Sequence, residues 1–97
     1  MIQKQPVVYI LTNKPYGTIY TGVTSNIIQR IYQHKTGAAK GFTKKYNCKI
    51  LVFYELHDTM GSAILREKQI KAGSRNDKLR LVYKMNPEWK DLYLEII

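Results

Sequence analysis

The chain has 97 residues, 44% hydrophobic and 24% charged, with 16 Lys and Arg against 7 Asp and Glu for a formal net charge of +9 and a pI near 9.7. That length suffices for a single domain over residues 1–97 and leaves no room for a second. Such basicity points to a polyanionic partner, because cations near a phosphate backbone release condensed counterions.

No stretch reaches the roughly 18 apolar residues of a spanning helix, and "MIQKQPVV" lacks the apolar core of a signal peptide. The expectation is a cytoplasmic protein that binds nucleic acid and no membrane.

In chain order, "VVYILT" (7–12) is β-branched and aromatic and predicts a strand. The turn residues of "NKPYG" follow, and "TIYTGV" (18–23) predicts a second strand, so the two form a hairpin. If Leu11 pairs with Thr18, then Tyr9 and Tyr20 stand opposite each other on one face. Tyr16 falls in the turn, where the expectation is packing. Ser25 is an N-cap candidate for a helix to about Lys35, with Ile27, Ile28, Ile31 and Tyr32 as its apolar stripe.

"TGAAKGFTKKYN" (36–47) loses periodicity at Gly37 and Gly41 and reads as a basic loop. The lone Cys48 has no disulfide partner and no zinc spacing, which predicts a reduced, buried or half-buried thiol. "KILVFYEL" (49–56) is almost continuously apolar, as in a strand covered on both faces.

A second helix is predicted from about Met60 to Ala72, capped by Asp58 or Thr59 and stopped by Gly73. A third begins at Ser74, paired with Asp77 as in a capping box, and ends before "NP" at 86 and 87. In the aromatic tail "EWKDLYLEII", Trp89 and Leu92 are expected to dock on the core. The fold class is therefore α+β: a small three-stranded, mainly antiparallel sheet flanked by helices, in the order β-β-α-β-α-α.

Three side chains sit oddly for a purely structural chain. Arg30 and His34 are four apart and share a helix face beside the apolar stripe. Singly they read as a solvated cation and a border residue; together they offer a phosphate clamp and a group that exchanges protons near pH 7.

Glu67 falls among Met60, Ala63, Ile64 and Ile70, the inward positions of its helix. A carboxylate there needs a partner: either a buried salt bridge, for instance with Arg30, or a hard divalent cation. Lys40, Lys44 and Lys45, interleaved with Phe42 and Tyr46, suit a phosphate backbone and base stacking. "REKQIKAGSRNDKLR" (66–80), with Lys71 and Arg75, extends that footprint or is only a solvated helix face.

These residues resemble the GIY-YIG nucleases. "VVY" (7–9) stands for the first signature and "YTG" (20–22) for the second, followed by Arg30, His34 and Glu67 at fitting intervals. "GFTKKY", "REKQIK" and "NPEWKDLY" are similar to the small stand-alone single-domain bacterial branch, so the likeness covers nearly the whole chain. Departures are Val23, where some repair members carry lysine, and Asn76, nine residues past Glu67, which does not align clearly with a supporting asparagine of larger members.

The resemblance implies a DNA endonuclease that needs one Mg²⁺ or Mn²⁺ ion on Glu67 and leaves 5′-phosphate and 3′-hydroxyl ends. It further implies a role in DNA repair, recombination or processing, on DNA that includes branched or damaged forms, with a protein partner supplying targeting. It fixes no oligomeric state. Arg30 would stabilise the phosphorane, while Tyr9, Tyr20 and His34 would handle the attacking water, a nearby cation lowering a tyrosine pKa. The alternative is a non-catalytic or partner-directed nucleic-acid-binding module that keeps the nuclease fold.

Overall fold

The computed structural model describes residues 5–39 and 41–97. Its elements are β1 (Val7–Thr12), β2 (Ile19–Thr24), α1 (Ile27–Thr36), α2 (Phe42–Lys45), β3 (Ile50–Leu56), α3 (Met60–Ala72), α4 (Arg75–Met85) and α5 (Tyr93–Ile96). The fold is α+β, and the expected order of strands and long helices holds. Two four-residue helices are added, α2 within the segment read as a loop and α5 within the docked tail.

The strands form one antiparallel sheet in the order β2-β1-β3, so β1 is central. All six β1 residues are buried, which explains the unbroken apolar run of "VVYILT". Side chains alternate between faces. Val7, Tyr9 and Leu11 pack with Ile27 and Ile31 of α1 and with Leu92, while Val8 and Ile10 pack with Ala63 and Ile70 of α3, Val82 of α4 and Trp89. The sheet is thus filled between two helical layers. Trp89 and Leu92 are buried, as expected of a docked tail, and so is Cys48, whose thiol burial holds above its ordinary pKa.

Hairpin register differs from the expectation by two residues: Tyr9 pairs with Gly22, and Leu11 with Tyr20. The reason is the connection. Gly17 N–H donates to the Lys14 carbonyl (2.9 Å) and Thr18 N–H to Asn13 Oδ1 (3.0 Å), so residues 13–18 close a wider loop and Thr12 meets Ile19. A shift by two keeps every side chain on its face. The loop holds Tyr16 at φ 57, an unfavourable conformation for an aromatic residue. Its ring lies 4.7 Å from that of Trp89, and Arg75 Nη2 donates to the carbonyls of Tyr16 (2.7 Å) and Gly17 (2.9 Å), which offsets the strain.

Helix ends follow their capping chemistry. Asn26, one residue beyond the expected Ser25, caps α1 by accepting from Gln29 N–H, and Gly37 closes it in the left-handed conformation at φ 80. Thr59 caps α3, and Ser74 with Asp77 forms a full capping box on α4. The inward stripe of α1 is Ile27, Ile31 and His34, whereas Tyr32 is exposed. His34 therefore belongs to the buried face and is not a border residue. On α3 only Ala63 and Ile70 are buried; Met60 and Ile64 lie at the surface, so the inward stripe is narrower than its sequence suggested.

Candidate active site

The site is built on the α1 side of the hairpin. Tyr9 and Tyr20 come from adjacent strands as diagonal neighbours on one face, with ring centroids 6.4 Å apart. Gly22, directly across from Tyr9, makes this possible. A Cβ at position 22 would stand 2.5 Å from Tyr9 Cζ and Oη and 3.0 Å from Tyr20 Cε2, so the Tyr9 ring occupies the room a side chain would need. Gly22→Ala should destabilise the fold by about 1–3 kcal/mol through overpacking. The expected drop in melting temperature is roughly 4–8 °C per kcal/mol; an unchanged melt would show that the phenol moves aside freely.

His34 reaches the same place from the third inward position of α1. Its ring centroid is 6.0 Å from those of both Tyr9 and Tyr20, and its Nε2 lies 3.2 Å from Tyr9 Oη. The other nitrogen, Nδ1, lies 2.9 Å from Thr43 Oγ1 of α2. Burial, reinforced by the Arg30 charge, lowers the imidazole pKa, so His34 is neutral at pH 7.

Tyr9 is displaced the other way. Burial first, then Tyr20 and Glu67, push its phenol well above the ordinary tyrosine value, and Arg30 only partly opposes them. The expectation that a nearby cation makes a tyrosine more acidic fails for Tyr9: desolvation of the buried phenolate outweighs the guanidinium. Tyr9 is a hydrogen-bond donor at neutral pH.

Arg30 stands on the exposed side of α1, close enough for its charge to act on both groups. Glu67 approaches from α3, which packs on β2. Its side chain keeps 15% exposure and its Oε2 is bridged at 3.3 Å by Lys71, four residues on. The salt bridge expected as one option is thus made with Lys71 and not Arg30. Lys71 Nζ also lies 5.8 Å from the Tyr20 ring centroid, which links α3 to the hairpin tyrosines.

Among the described residues no group of three or more His, Cys, Asp and Glu side chains could hold a metal ion. A single, partly exposed carboxylate still fits a hard divalent cation such as Mg²⁺, which takes one or two protein carboxylates and fills its remaining positions with water and phosphate oxygens.

An aromatic ladder leads away from the centre. Phe42 stacks on Tyr20 with centroids 5.9 Å apart, and Tyr46 lies 4.6 Å from Phe42. Both outer rings are a little under half exposed, Lys45 Nζ is 5.4 Å from the Tyr46 centroid, and Lys44 is exposed beside them. Lys40 lies outside the described residues. Arg75 is held by the hairpin turn. Asn76 borders a shallow depression with Tyr16, Leu79, Arg80 and Tyr83, away from Glu67. Val23 packs with the opposite core cluster.

Gly22 entered the sequence reading only as the last residue of "YTG", with no role given, and Thr43 escaped it. Gly22 had a usable signal, since glycine inside a strand marks a bulge or a close approach. Thr43 had none.

The chain is similar to known proteins of one family. The family described as the GIY-YIG catalytic domain matches residues 5–86. A UPF0213 protein of Staphylococcus saprophyticus is 39% identical over 75 residues, covering 77% of this chain and 90% of that protein. A UPF0213 protein of Syntrophus aciditrophicus is 44% identical over 73 residues, covering 73% and 82%. The solution NMR structure of a UPF0213 protein from Bacillus halodurans superposes with a TM-score of 0.57 at 29% identity, covering 90% of this chain and 92% of that one. No helix among the described residues is long and apolar enough to cross a membrane.

Proposed function

Because the chain belongs to the GIY-YIG catalytic-domain family, we propose that it is a divalent-metal-dependent endonuclease. It hydrolyses DNA phosphodiester bonds to 5′-phosphate and 3′-hydroxyl ends in repair, recombination or processing. The observation that carries this reading is the convergence of Tyr9, Tyr20 and His34 from three separate elements, flanked by the Arg30 cation and the Glu67 carboxylate.

Each residue has a role that its surroundings suit. Arg30 offers preorganised charge to the developing phosphorane, where it acts most strongly. Tyr9, protonated and hydrogen-bonded to His34, donates to a phosphate oxygen. Tyr20, exposed further than Tyr9 and stacked on Phe42, contacts the attacking water. His34 is neutral with both nitrogens engaged, so it acts by holding the Tyr9 phenol.

Glu67 would hold a Mg²⁺ or Mn²⁺ ion, which would supply Lewis acidity for the cleavage. Phe42, Lys44, Lys45 and Lys71 grip the strand beside the cut, stacking on bases and meeting phosphates, with Lys40 and Arg75 extending the footprint.

The test is a cleavage panel of supercoiled plasmid, linear duplex, single-stranded, branched and damaged DNA, and RNA, each with Mg²⁺, Mn²⁺ or EDTA. The expected result is cleavage of at least one DNA form that EDTA abolishes, with 5′-phosphate products. Binding without cleavage under every condition would replace this reading with that of a nucleic-acid-binding module.

A further inference from the structure

We propose that the hairpin turn and α4 form a second nucleic-acid site, in which Tyr16 and Tyr83 stack unpaired bases of the strand that is cut beside Tyr20. The link to cleavage rests on the nuclease reading above; the binding site does not.

Two aromatic residues meet here in a backbone conformation that aromatic residues rarely adopt. Tyr16 has φ 57 and Trp89 has φ 55, and their ring centroids are 4.7 Å apart. Strain of this kind persists only where the surroundings impose it, and it gathers at ligand clamps. Here Arg75 of α4 holds the Tyr16 and Gly17 carbonyls. Trp89 lies in a turn fixed by the buried Asn86, whose Oδ1 accepts from Lys90 N–H (3.0 Å) and whose Nδ2 donates to the carbonyls of Val52 (3.2 Å) and Lys90 (2.8 Å). Core packing accounts for Trp89, which is buried, but the Tyr16 residue held against it stays 60% exposed.

On α4, Asn76, Leu79, Arg80 and Tyr83 fall at helical spacing on one face and border a depression with Tyr16. Tyr83 is 64% exposed, so two aromatic residues flank one concavity and both present free surface. None of the five bordering residues is acidic. Asp77, the neighbouring carboxylate, is engaged by the Ser74 cap and by Arg80. Lys14 in the turn and Arg75 and Lys84 of α4 are exposed in a chain of net charge +9.

Exposed aromatic rings among cations are how proteins hold single strands, with bases stacked on the rings and phosphates on the cations. An apolar protein surface would leave Arg80 and Asn76 unpaired, whereas a nucleotide brings phosphate and base-edge acceptors to both. Bases inside a duplex are covered by their neighbours and offer no free face, so the ligand is an unpaired strand.

The location suits the active site. Tyr16 and Tyr20 are four residues apart, a span of at most about 14 Å. A strand with its scissile phosphate beside Tyr20 therefore reaches Tyr16 within a few nucleotides. The Phe42 ladder stacks on Tyr20 on the α1 side, and Tyr16 packs on Trp89 of the opposite core cluster, so two aromatic platforms flank the hairpin.

Binding is read in EDTA, without turnover, from the anisotropy of a labelled oligothymidine of about 12 nucleotides. The indole ¹H–¹⁵N signal of Trp89, the single tryptophan, reports on the Tyr16 platform. Oligothymidine should shift that signal in the wild type, because the ring resting against the indole gains a stacked base. Tyr83→Ala should weaken oligothymidine binding at least about fivefold, the loss of one stacked base, while Tyr83→Phe binds as the wild type. Both variants should melt as the wild type, since Tyr83 is exposed, and their affinity for a blunt duplex should stay within about twofold. Phe42→Ala should weaken binding through the other platform and leave the indole shift in place at saturation.

An indole signal that does not move, or an unchanged oligothymidine affinity in Tyr83→Ala, overturns the proposal and leaves this face to a protein partner. Equal losses for duplex and single strand overturn it too, because stacking would then play no part. Intact oligothymidine binding with the expected Tyr83→Ala loss, in a protein that cleaves nothing, supports the site and counts against the nuclease reading alone.

Discussion

Glu67→Ala should lower Mg²⁺-dependent nicking of supercoiled plasmid by at least about 10³-fold, the several kcal/mol that a Lewis-acidic ion contributes to phosphoryl transfer. The fold should survive. What the variant loses structurally is one i,i+4 pair with a half-exposed lysine, an interaction of about 0.3–0.5 kcal/mol in similar helices. Circular dichroism and the thermal melt should therefore match the wild type while cleavage disappears. Releasing Lys71 also leaves an extra cation near Tyr20, so DNA binding should persist or tighten. Undiminished Mg²⁺-dependent cleavage by Glu67→Ala would remove this carboxylate from the chemistry and return it to the role of a surface ion-pair partner.

The second large effect is expected from Tyr20→Phe. The substitution keeps the ring and with it the stack on Phe42 and the contact with Tyr9, so neither stability nor affinity for DNA should change appreciably. The hydroxyl that meets the attacking water is gone, and kcat should fall about 10²-fold or more, in the range of a positioned proton-transfer group. A fall in kcat and kcat/KM together marks an interaction made only in the transition state. Full activity would exclude Tyr20 from the reaction and shift the search to the His34 and Tyr9 pair.

Much of this architecture was readable because its signals are local. Thr59, Gly73 and the Ser74–Asp77 pair mark helix ends through backbone hydrogen bonds a few residues away, and their helices begin and end there. The β-branched and aromatic run at 7–12 marks a strand through its own residue types, but the strand covered on both faces is this one and not 49–56, where the ends of β3 are less buried. The departures arose where tertiary structure decides. Hairpin register depended on how residues 13–18 close, and Asn13, whose side chain holds the loop, has no distinctive spacing. A four-residue helix such as α2 is too short to show periodicity. Tyr32 and His34 exchanged roles on α1 because the face is set by what it packs on, and the Tyr9 ring leaves a polar partner space at position 34.

The candidate site divides along the same line. Tyr9, Tyr20, Arg30, His34 and Glu67 were legible as a set, since their order and intervals match a known pattern and Glu67 falls among inward positions where a carboxylate is costly. Thr43 was not, because its partner lies across a turn in which no side chain announces the contact.

The strand order β2-β1-β3 has a kinetic consequence. The hairpin partners are adjacent in the chain, so β1 and β2 pair by closing a short loop, whereas β3 reaches β1 only after all of β2, α1 and α2 has been gathered in. Closing longer loops costs more entropy, and pairings distant in sequence slow the approach to the native state. The two tyrosines are therefore brought together by a pairing local in the chain, whereas the carboxylate on α3 joins them only through contacts distant in sequence. The complete set of reactive groups thus depends on both short-range and long-range closure.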